Sequence, residues 1–402
     1  MVKVAILGYG TVGCGVAEVL ESNKCEIQKS TNKNVEVKYI LDIRQFPGDK
    51  NEDKIVNDIN IILDDPEIAV CCETMGGKHP AYEFTKAALE KGKSVCSSNK
   101  ELVEAFGPEL LQLAKENNCS YMFEASVGGG IPIIRNINYC LQGEKIQSIT
   151  GILNGTTNYM LTKMEMEGAE YAEVLKEAQE KGYAEKDPTA DVEGHDAGRK
   201  IAILSSLACG KTVSYDKLYV EGISKISSID FLYAKELGYS IKLFGKSVQS
   251  ENGICAMVAP FLVNQTNTLY AVKDVYNGIL VTGNMLGNFM LYGAGAGKLP
   301  TASAVVADVI EASQNIGKNI SCVWDKEEAK LTSFGEMEHR FFVRINEKAK
   351  IDASKSFDLK DFYKVDGLQG ECAFITEMIT EEHFSEMRKN IKNDILSVIR
   401  IS

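Results

Sequence analysis

The chain opens on an apolar run, VKVAIL at 2–7, and comparable runs return at 35–41, 68–74 and 93–96. Short apolar runs of this length read as strands. Between them, 11–20, 80–91 and 109–117 read as helices, so strand and helix alternate as a parallel sheet requires. The polar stretch 21–34 reads as a long insertion ahead of the second strand, and 120–126 as the last strand of this unit. Three glycines and a proline at 128–132 then mark a sharp bend where the chain crosses into a second domain.

Farther on, 254–263, 275–282 and 288–292 read as sheet strands, with strand and helix pieces at 220–223 and 234–243. A helix starting at Pro300 and Thr301 and running to about 316 is expected to return to the first domain. After 318 the pattern turns polar. Residues 321–337 read as a linker, followed by strands at 340–345, 371–378 and 395–401, a short helix or turn at 359–362 and a helix at 381–391.

The stretch with the densest charge is 182–200, GYAEKDPTADVEGHDAGRK, which runs into the apolar segment IAILSSLACG. Pro188 and Gly194 deny its first half a regular element. Its second half reads as a helix from about 194, stopped at Gly210 by a left-handed cap. On that helix Asp196, Lys200, Ile203, Leu204 and Leu207 share one stripe, so the charged pair heads the face that turns inward. A buried-facing lysine needs a partner, and desolvation lowers its pKa toward values useful for proton transfer. The competing reading is a surface Asp–Lys pair worth a few tenths of a kcal/mol. His195 points about 100° away from Asp196 and reads as structural or solvent-facing.

Composition narrows the class. The 402 residues are 45% apolar and 25% charged, with a net charge of −12, which suits two or three globular domains and argues against a nucleic-acid partner. No apolar run approaches the roughly 18 residues of a membrane span, and the first residues lack a signal-peptide pattern. Eleven scattered cysteines, without metal-ligand spacing, read as reduced core residues of a cytoplasmic protein.

The sequence GYGTVG sets Gly8, Gly10 and Gly13 directly between the first strand and the first helix, with Thr11 and Val12 inside the motif. That placement makes it a dinucleotide site, with the pyrophosphate on the helix N-terminus. Asp42 ends the second strand and suits the ribose hydroxyls of NAD, while Arg44 suits the 2′-phosphate of NADP; the choice stays open. Later strand ends carry Thr74, then Ser97, Asn99 and Lys100, on the side where the nicotinamide is expected.

Several separated motifs together give the chain a family likeness: GYGTVGCGV at 8–16, GKSVCSSNK at 92–100, EASVGGGIPII at 124–134, GILNGTTNYM at 151–160, the acidic stretch 182–200, and GAGAGKLPTASAV at 293–305. In this order they resemble the homoserine dehydrogenases, from residue 2 to about 308. The resemblance implies reversible NAD(P)H-dependent reduction of L-aspartate 4-semialdehyde to L-homoserine, in the branch toward threonine and methionine. It assigns Glu185 and Asp191 to the substrate's amino group and Asp196 and Lys200 to the reacting carbon. Thr156 and Gly155 would hold the substrate or nicotinamide, Gly297 would lie at the cofactor, and Lys100 matches the lysine of the family's T-A-N-K motif, here preceded by Ser97 and Ser98. A monovalent cation, sodium, is implied at Glu124, Val127, Gly129 and Ile131, chiefly on backbone carbonyls. Either Lys100 or Lys200 carries the proton.

The tail looks like an ACT domain, a fold used to sense an amino-acid end product, although the usual D-R-P-G-V entry to its first helix is replaced at 346–356. The fold class expected is therefore α/β with three parts: a Rossmann-type dinucleotide-binding domain over 1–132, completed by 298–320; an α+β substrate and dimerisation domain over 133–297; and, after the linker 321–337, a small ACT-like βαββαβ domain over 338–402. A homodimer or dimer of dimers is expected, with threonine as a possible effector and no fused kinase domain ahead of residue 2. The competing readings are another amino-acid-linked oxidoreductase on the same scaffold and a dinucleotide-binding regulator without catalysis.

Overall fold

In the computed structural model of the protein, which describes residues 1–320, 322–359 and 361–402, the first sheet holds six parallel strands. These are β1 (Val2–Leu7), β2 (Val35–Leu41), β3 (Ile55–Val56), β4 (Ile68–Glu73), β5 (Ser94–Ser97) and β6 (Tyr121–Met122), in the order β3-β2-β1-β4-β5-β6. The order reverses between β1 and β4, and open sheets of this kind bind ligands beyond the carboxyl ends of the strands at that point. Helices α1 (Thr11–Ser22), α2 (Lys24–Thr31), α3 (Ile59–Leu63), α4 (Ala81–Glu90) and α5 (Lys100–Glu116) connect the strands.

Three elements differ from expectation. The polar segment 21–34 contains α2, which buries only Ile27; one apolar anchor leaves almost no periodicity to read. Helix α5 begins at Lys100 and carries Pro108 inside it, because the Asn99 side chain caps its start by accepting from Glu101 N and Leu102 N. The strand expected over 120–126 shrinks to β6, since Ser126 turns back and donates from both backbone and hydroxyl to the Phe123 carbonyl, at 3.0 and 2.7 Å. A short helix, α6 (Ile133–Arg135), follows the glycine bend.

Next in the chain come β7 (Ile146–Ile152), α7 (Gly155–Glu167), α8 (Tyr171–Glu180), α9 (Thr189–Val192), α10 (His195–Cys209), β8 (Lys211–Thr212), β9 (Tyr219–Val220) and α11 (Ser228–Glu236). The acidic stretch is thus not wholly irregular: it holds the single turn α9. Long strands β10 (Tyr239–Ser250) and β11 (Gly253–Asn264) pair antiparallel over their whole length, and β12 (Tyr276–Gly283) and β13 (Gly287–Ala294) follow. Helix α12 (Lys298–Gln314) and β14 (Asp325–Glu328) lead to the tail. Residue 321 of the expected linker lies outside the described residues, and 325–328 is not linker but pairs with β8.

The tail consists of β15 (Glu338–Asn346), α13 (Lys350–Phe357), β16 (Glu371–Ile375), β17 (Ile379–Thr380), α14 (Glu381–Met387) and β18 (Ile395–Ile401). Strands β16 and β17 lie one after the other along β15, so they act as one interrupted strand. The element expected at 359–362 includes residue 360, outside the described residues; just beyond it Tyr363 bridges Ala373 antiparallel. Where the second strand of the expected βαββαβ succession would fall, there is this one isolated bridge. Helix α13 forms without the usual entry motif because Ala353 and Phe357, four apart, are buried.

By compactness, 1–144, 202–214 and 293–329 form one unit, and 145–201, 215–292 and 330–402 form the other. The second unit's sheet runs β13-β12-β7-β10-β11-β18-β15-β16. The tail joins it through β18 on β11, parallel at Phe261–Arg400 and Leu262–Ile401, so the tail shares a sheet with the strands before it.

Candidate active site

In the first unit, β1 runs into the glycine turn. Gly8 has φ +94°, and a Cβ on Gly13 would lie 2.0 Å from the Gly8 carbonyl oxygen, so the turn closes only without side chains there. Gly10 is different: nothing stands within 4 Å of its would-be Cβ. It is the N-cap of α1, which has no side-chain cap and no acidic residue in its first turn. The free N–H groups and the positive end of the helix dipole are therefore left for an anion. Thr11 opens the helix, exposed, and Val12 behind it is half-buried.

Asp42 closes the adenosine end. One of its oxygens accepts from Tyr9 N at 2.8 Å and from Arg44 Nη2 at 2.8 Å, and the other takes Arg44 N and Nε, each at 2.9 Å. The Arg44 guanidinium beside it holds the Asp42 carboxyl well below the usual carboxylate range. Arg44 itself stays exposed, with its guanidinium 5.2 Å from the Phe46 ring centroid.

At the ends of β4 and β5 the loops are tied to each other. Thr74 donates from N to Leu7 O and from its hydroxyl to Gly8 O at 2.7 Å. Glu73, fully buried, accepts from Ser97 Oγ at 2.5 Å and Met75 N at 2.9 Å, and burial still pushes its pKa up to about 7. Ser97 Oγ takes Asn99 N, and Asn99 Nδ2 donates to Gly77 O at 2.6 Å. Lys100, half-buried, is the first residue of the helix this network starts. Gly297, at φ +118°, is the N-cap of α12.

The glycine bend is built around buried charge. The Glu124 carboxylate accepts from Ile134 N at 2.8 Å and Arg135 N at 2.7 Å, capping α6, while Asp308 receives Glu124 N and the Arg135 guanidinium, both at 2.9 Å. Burial outweighs these donors and pushes Glu124 to about 7. Val127 and Ile131 are buried; the Ile131 carbonyl already accepts Ile133 N, and a Cβ on Gly129 would run into Gly295 at 2.4 Å. The Glu124 side chain is spent on the helix. Among the described residues no group of three or more His, Cys, Asp or Glu could hold a metal, so a cation at this bend would rest on main-chain carbonyls.

The second unit holds the other charges. Lys200 and Asp196 are buried, 8% and 4% exposed, which decides against the surface-pair reading. Lys200 Nζ donates to Asp196 Oδ2 at 2.7 Å and to the Leu153 carbonyl at 2.9 Å. Asn154 Nδ2 donates to the same Asp196 oxygen at 2.8 Å and to Asp191 Oδ1 at 2.7 Å. Its own Oδ1 caps α7 by accepting Thr157 N at 2.8 Å. Asn154 thus ties the acidic turn to the lysine helix, and it was absent from the residues singled out above. Its signal was present: the Asn that opens NGTT, three residues before Thr157, is a helix cap.

The remaining predicted residues surround this core. Thr156 donates to the Tyr183 carbonyl at 2.6 Å, a Cβ on Gly155 would lie 2.8 Å from the Val275 carbonyl oxygen, and Glu185 is exposed. His195 Nδ1 sits 2.8 Å from the Tyr215 hydroxyl, the structural role expected of it.

Two family models match the chain. One, described as homoserine dehydrogenase, NAD binding domain, covers residues 8–124, and one described as homoserine dehydrogenase covers 132–310. The chain is 36% identical to a homoserine dehydrogenase of Bacillus subtilis, over 98% of this chain and 95% of that one. The chain belongs to the homoserine dehydrogenase family. It is 44% identical to a Synechocystis member over 77% of its own length and 72% of the relative's. A crystal structure of a Thiobacillus denitrificans homoserine dehydrogenase superposes with a TM-score of 0.90 at 32% identity, covering 100% of this chain and 98% of that one. A hyperthermophilic archaeal homoserine dehydrogenase in complex with NADPH aligns at a TM-score of 0.68 and 27% identity, over 80% of this chain and 99% of that one. The protein is accordingly an oxidoreductase with a nicotinamide-dinucleotide domain, and no helix among its described residues is long and apolar enough to cross a membrane.

Proposed function

We propose that the chain interconverts L-homoserine and L-aspartate 4-semialdehyde with NAD or NADP, and that Asp191, Asp196, Lys200 and Asn154 form the substrate end of the site. The observation that carries this is one amide, Asn154, bonded at once to Asp191 and to the Asp196 carboxylate that holds Lys200. Bound nicotinamide accepts or supplies the hydride at the substrate's terminal carbon. Asp191 and Glu185 bind the α-ammonium. Lys200, fixed by Asp196 and the Leu153 carbonyl, orients the alcohol or aldehyde oxygen. When the alcohol is oxidised its proton passes to a lysine, Lys200 or Lys100, and in reduction it returns to the oxygen.

Gly8, Gly10 and Gly13 take the pyrophosphate, and Thr74, Ser97 and Asn99 shape the nicotinamide end. Asp42 and Arg44 read the adenosine ribose, with the exposed guanidinium suited to a 2′-phosphate. A sodium ion at the carbonyls of the glycine bend, a cytoplasmic location and amino-acid sensing by the tail belong to the same reading. So does self-association along β13, an end strand of its sheet that carries exposed Tyr292 and follows exposed Met285 and Leu286.

Homoserine-dependent reduction of NAD⁺ and NADP⁺, followed side by side with and without sodium, tests the proposal. Turnover with either cofactor supports it; none, in protein that binds a dinucleotide, defeats it. Arg44→Ala should shift the preference toward NAD⁺ by about tenfold, the loss of one charge-assisted contact.

A further inference from the structure

Behind the substrate end of the second unit lies a buried clamp with no part in the steps described so far. Helix α7 carries a second asparagine, Asn158, buried and one turn beyond its N-cap Asn154. Asn158 Nδ2 donates to Asp274 O at 2.9 Å and to Tyr276 O at 3.0 Å, and it reaches Val272 O at 3.5 Å. Two N–H groups thus serve three carbonyls of one turn, 272–276, which leads into β12. The Asn158 Oδ1 meets no donor among the described residues, so the side chain works here as a donor alone.

The same turn is held at two further points. Lys242 Nζ, fully buried, donates to Val272 O at 2.7 Å. The Thr162 hydroxyl accepts from Asp274 N at 3.0 Å and donates to the Asn158 carbonyl at 2.7 Å, which closes a ring between helix and turn. Asp274 itself sits at φ +56°. A residue other than glycine keeps that left-handed conformation where its surroundings fix it.

What the ring fixes is Val275. Its carbonyl oxygen would lie 2.8 Å from a Cβ on Gly155, so the backbone of the turn bears on the first residue of α7. The residue before Gly155 is Asn154, bonded to both Asp191 and Asp196, and the residue after it is Thr156. Backbone meets backbone at this contact, with no side chain to absorb a displacement. A shift of 272–276 therefore passes to the residues on either side of Gly155.

We infer that Asn158 is a positioning residue for the substrate: by holding 272–276 against Gly155 it fixes Asn154 and Thr156 where homoserine meets them. Thr162 and Lys242 secure the same turn. The effect on homoserine rests on the reaction proposed above; the clamp on the first turn of α7 does not.

Steady-state kinetics with homoserine, cofactor titration and thermal melts of the full chain test this with Asn158→Ala and Thr162→Val. Homoserine KM should rise about tenfold in the first and less in the second, at unchanged dinucleotide affinity. Added to Asn154→Ala, Asn158→Ala should cost less than its own factor, because both act on one turn. A smaller folded fraction alone lowers kcat and leaves KM in place. An unchanged KM in folded Asn158→Ala, or two factors that multiply in full, therefore overturns the proposal. If Asn158→Ala does not fold, Thr162→Val decides, and an unchanged KM there overturns it equally. Amide exchange at 155–157 reads the clamp without the reaction, and both variants should speed it. Faster exchange in a protein inactive on homoserine would sink the reaction proposed above and leave the clamp standing. Unchanged exchange in an active enzyme would sink the clamp alone.

Discussion

The glycine turn and the Asn154–Asp196–Lys200 cluster solve opposite problems. The turn functions through what is missing: no side chain at Gly8, Gly10 or Gly13, no cap on α1, and hence free N–H groups for phosphate. The cluster functions through what is present, a buried ammonium whose donors are matched by a carboxylate and a carbonyl. Six consecutive residues suffice for the first. The second takes residues from the end of β7, the turn α9 and the first turns of α10. Backbone sites are compact in sequence, whereas buried-charge sites are assembled from a distance, because each charge needs partners that its neighbours in the chain cannot all supply.

The comparison breaks most visibly at Lys200. Lys200→Ala should lower kcat by about 10²–10⁴ and leave dinucleotide affinity unchanged, as stopped-flow turnover and cofactor titration would read. Asn154→Ala should act mainly on substrate, raising KM for homoserine by as much as about 10² through misplacement of Asp191 and Asp196. If Lys200→Ala instead weakens the dinucleotide and spares kcat, the division between the two regions is wrong.

How much of this was legible follows from the same contrast. GYGTVG, the strand at 35–41 and the inward stripe of Asp196 and Lys200 were readable because each is a local pattern with a fixed period or spacing. Asn154 was passed over because its importance lies in two carboxylates 37 and 42 residues away. The same holds in the fold. The helix at 24–31 buries one residue and so has no apolar stripe. The helix expected over 109–117 in fact starts at Lys100, because its start is a single side-chain cap at Asn99 and Pro108 sits inside it. Where a second strand of the tail would fall there is a single bridge at Tyr363, too short for any periodicity.

Within the turn itself two glycines should behave differently. Gly13→Ala puts a methyl 2.0 Å from the Gly8 carbonyl, an overpacking that should cost about 1–3 kcal/mol of stability and weaken the cofactor as well. Gly10→Ala meets nothing in the protein, so the melting temperature should hold while dinucleotide affinity falls. Paired thermal melts and cofactor titrations check this, and a Gly10→Ala protein that binds normally would mean the pyrophosphate does not approach there.

The smallest effect sharpens the comparison by pH. Glu73 lies beneath the loops of the dinucleotide side, and burial raises its pKa from 4.5 to about 7, more than its Ser97 and Met75 donors can lower it. Between those values the folded protein holds a proton that the unfolded chain has already released. Stability from this group is therefore fully present below about pH 4.5 and lost as pH rises to about 7, by on the order of 3 kcal/mol at most. Glu124 adds a slope of the same sign in the same window. Carboxylates with lowered pKa values, such as Asp42, act in the opposite direction but at lower pH. Asp308 and Glu381 are raised by burial like Glu73, whereas buried His339 and Lys242 are lowered and slope the other way. The share of Glu73 is therefore the difference between the wild type and Glu73→Gln from about pH 5 to about pH 8. The melting temperature of the cofactor-free enzyme should fall across that range by a few degrees, and Glu73→Gln should flatten part of the fall. A Gln variant with an unaltered slope would mean that Glu73 is charged in the folded protein at neutral pH, and the loops it ties together would then rest on an anion instead of a neutral acid.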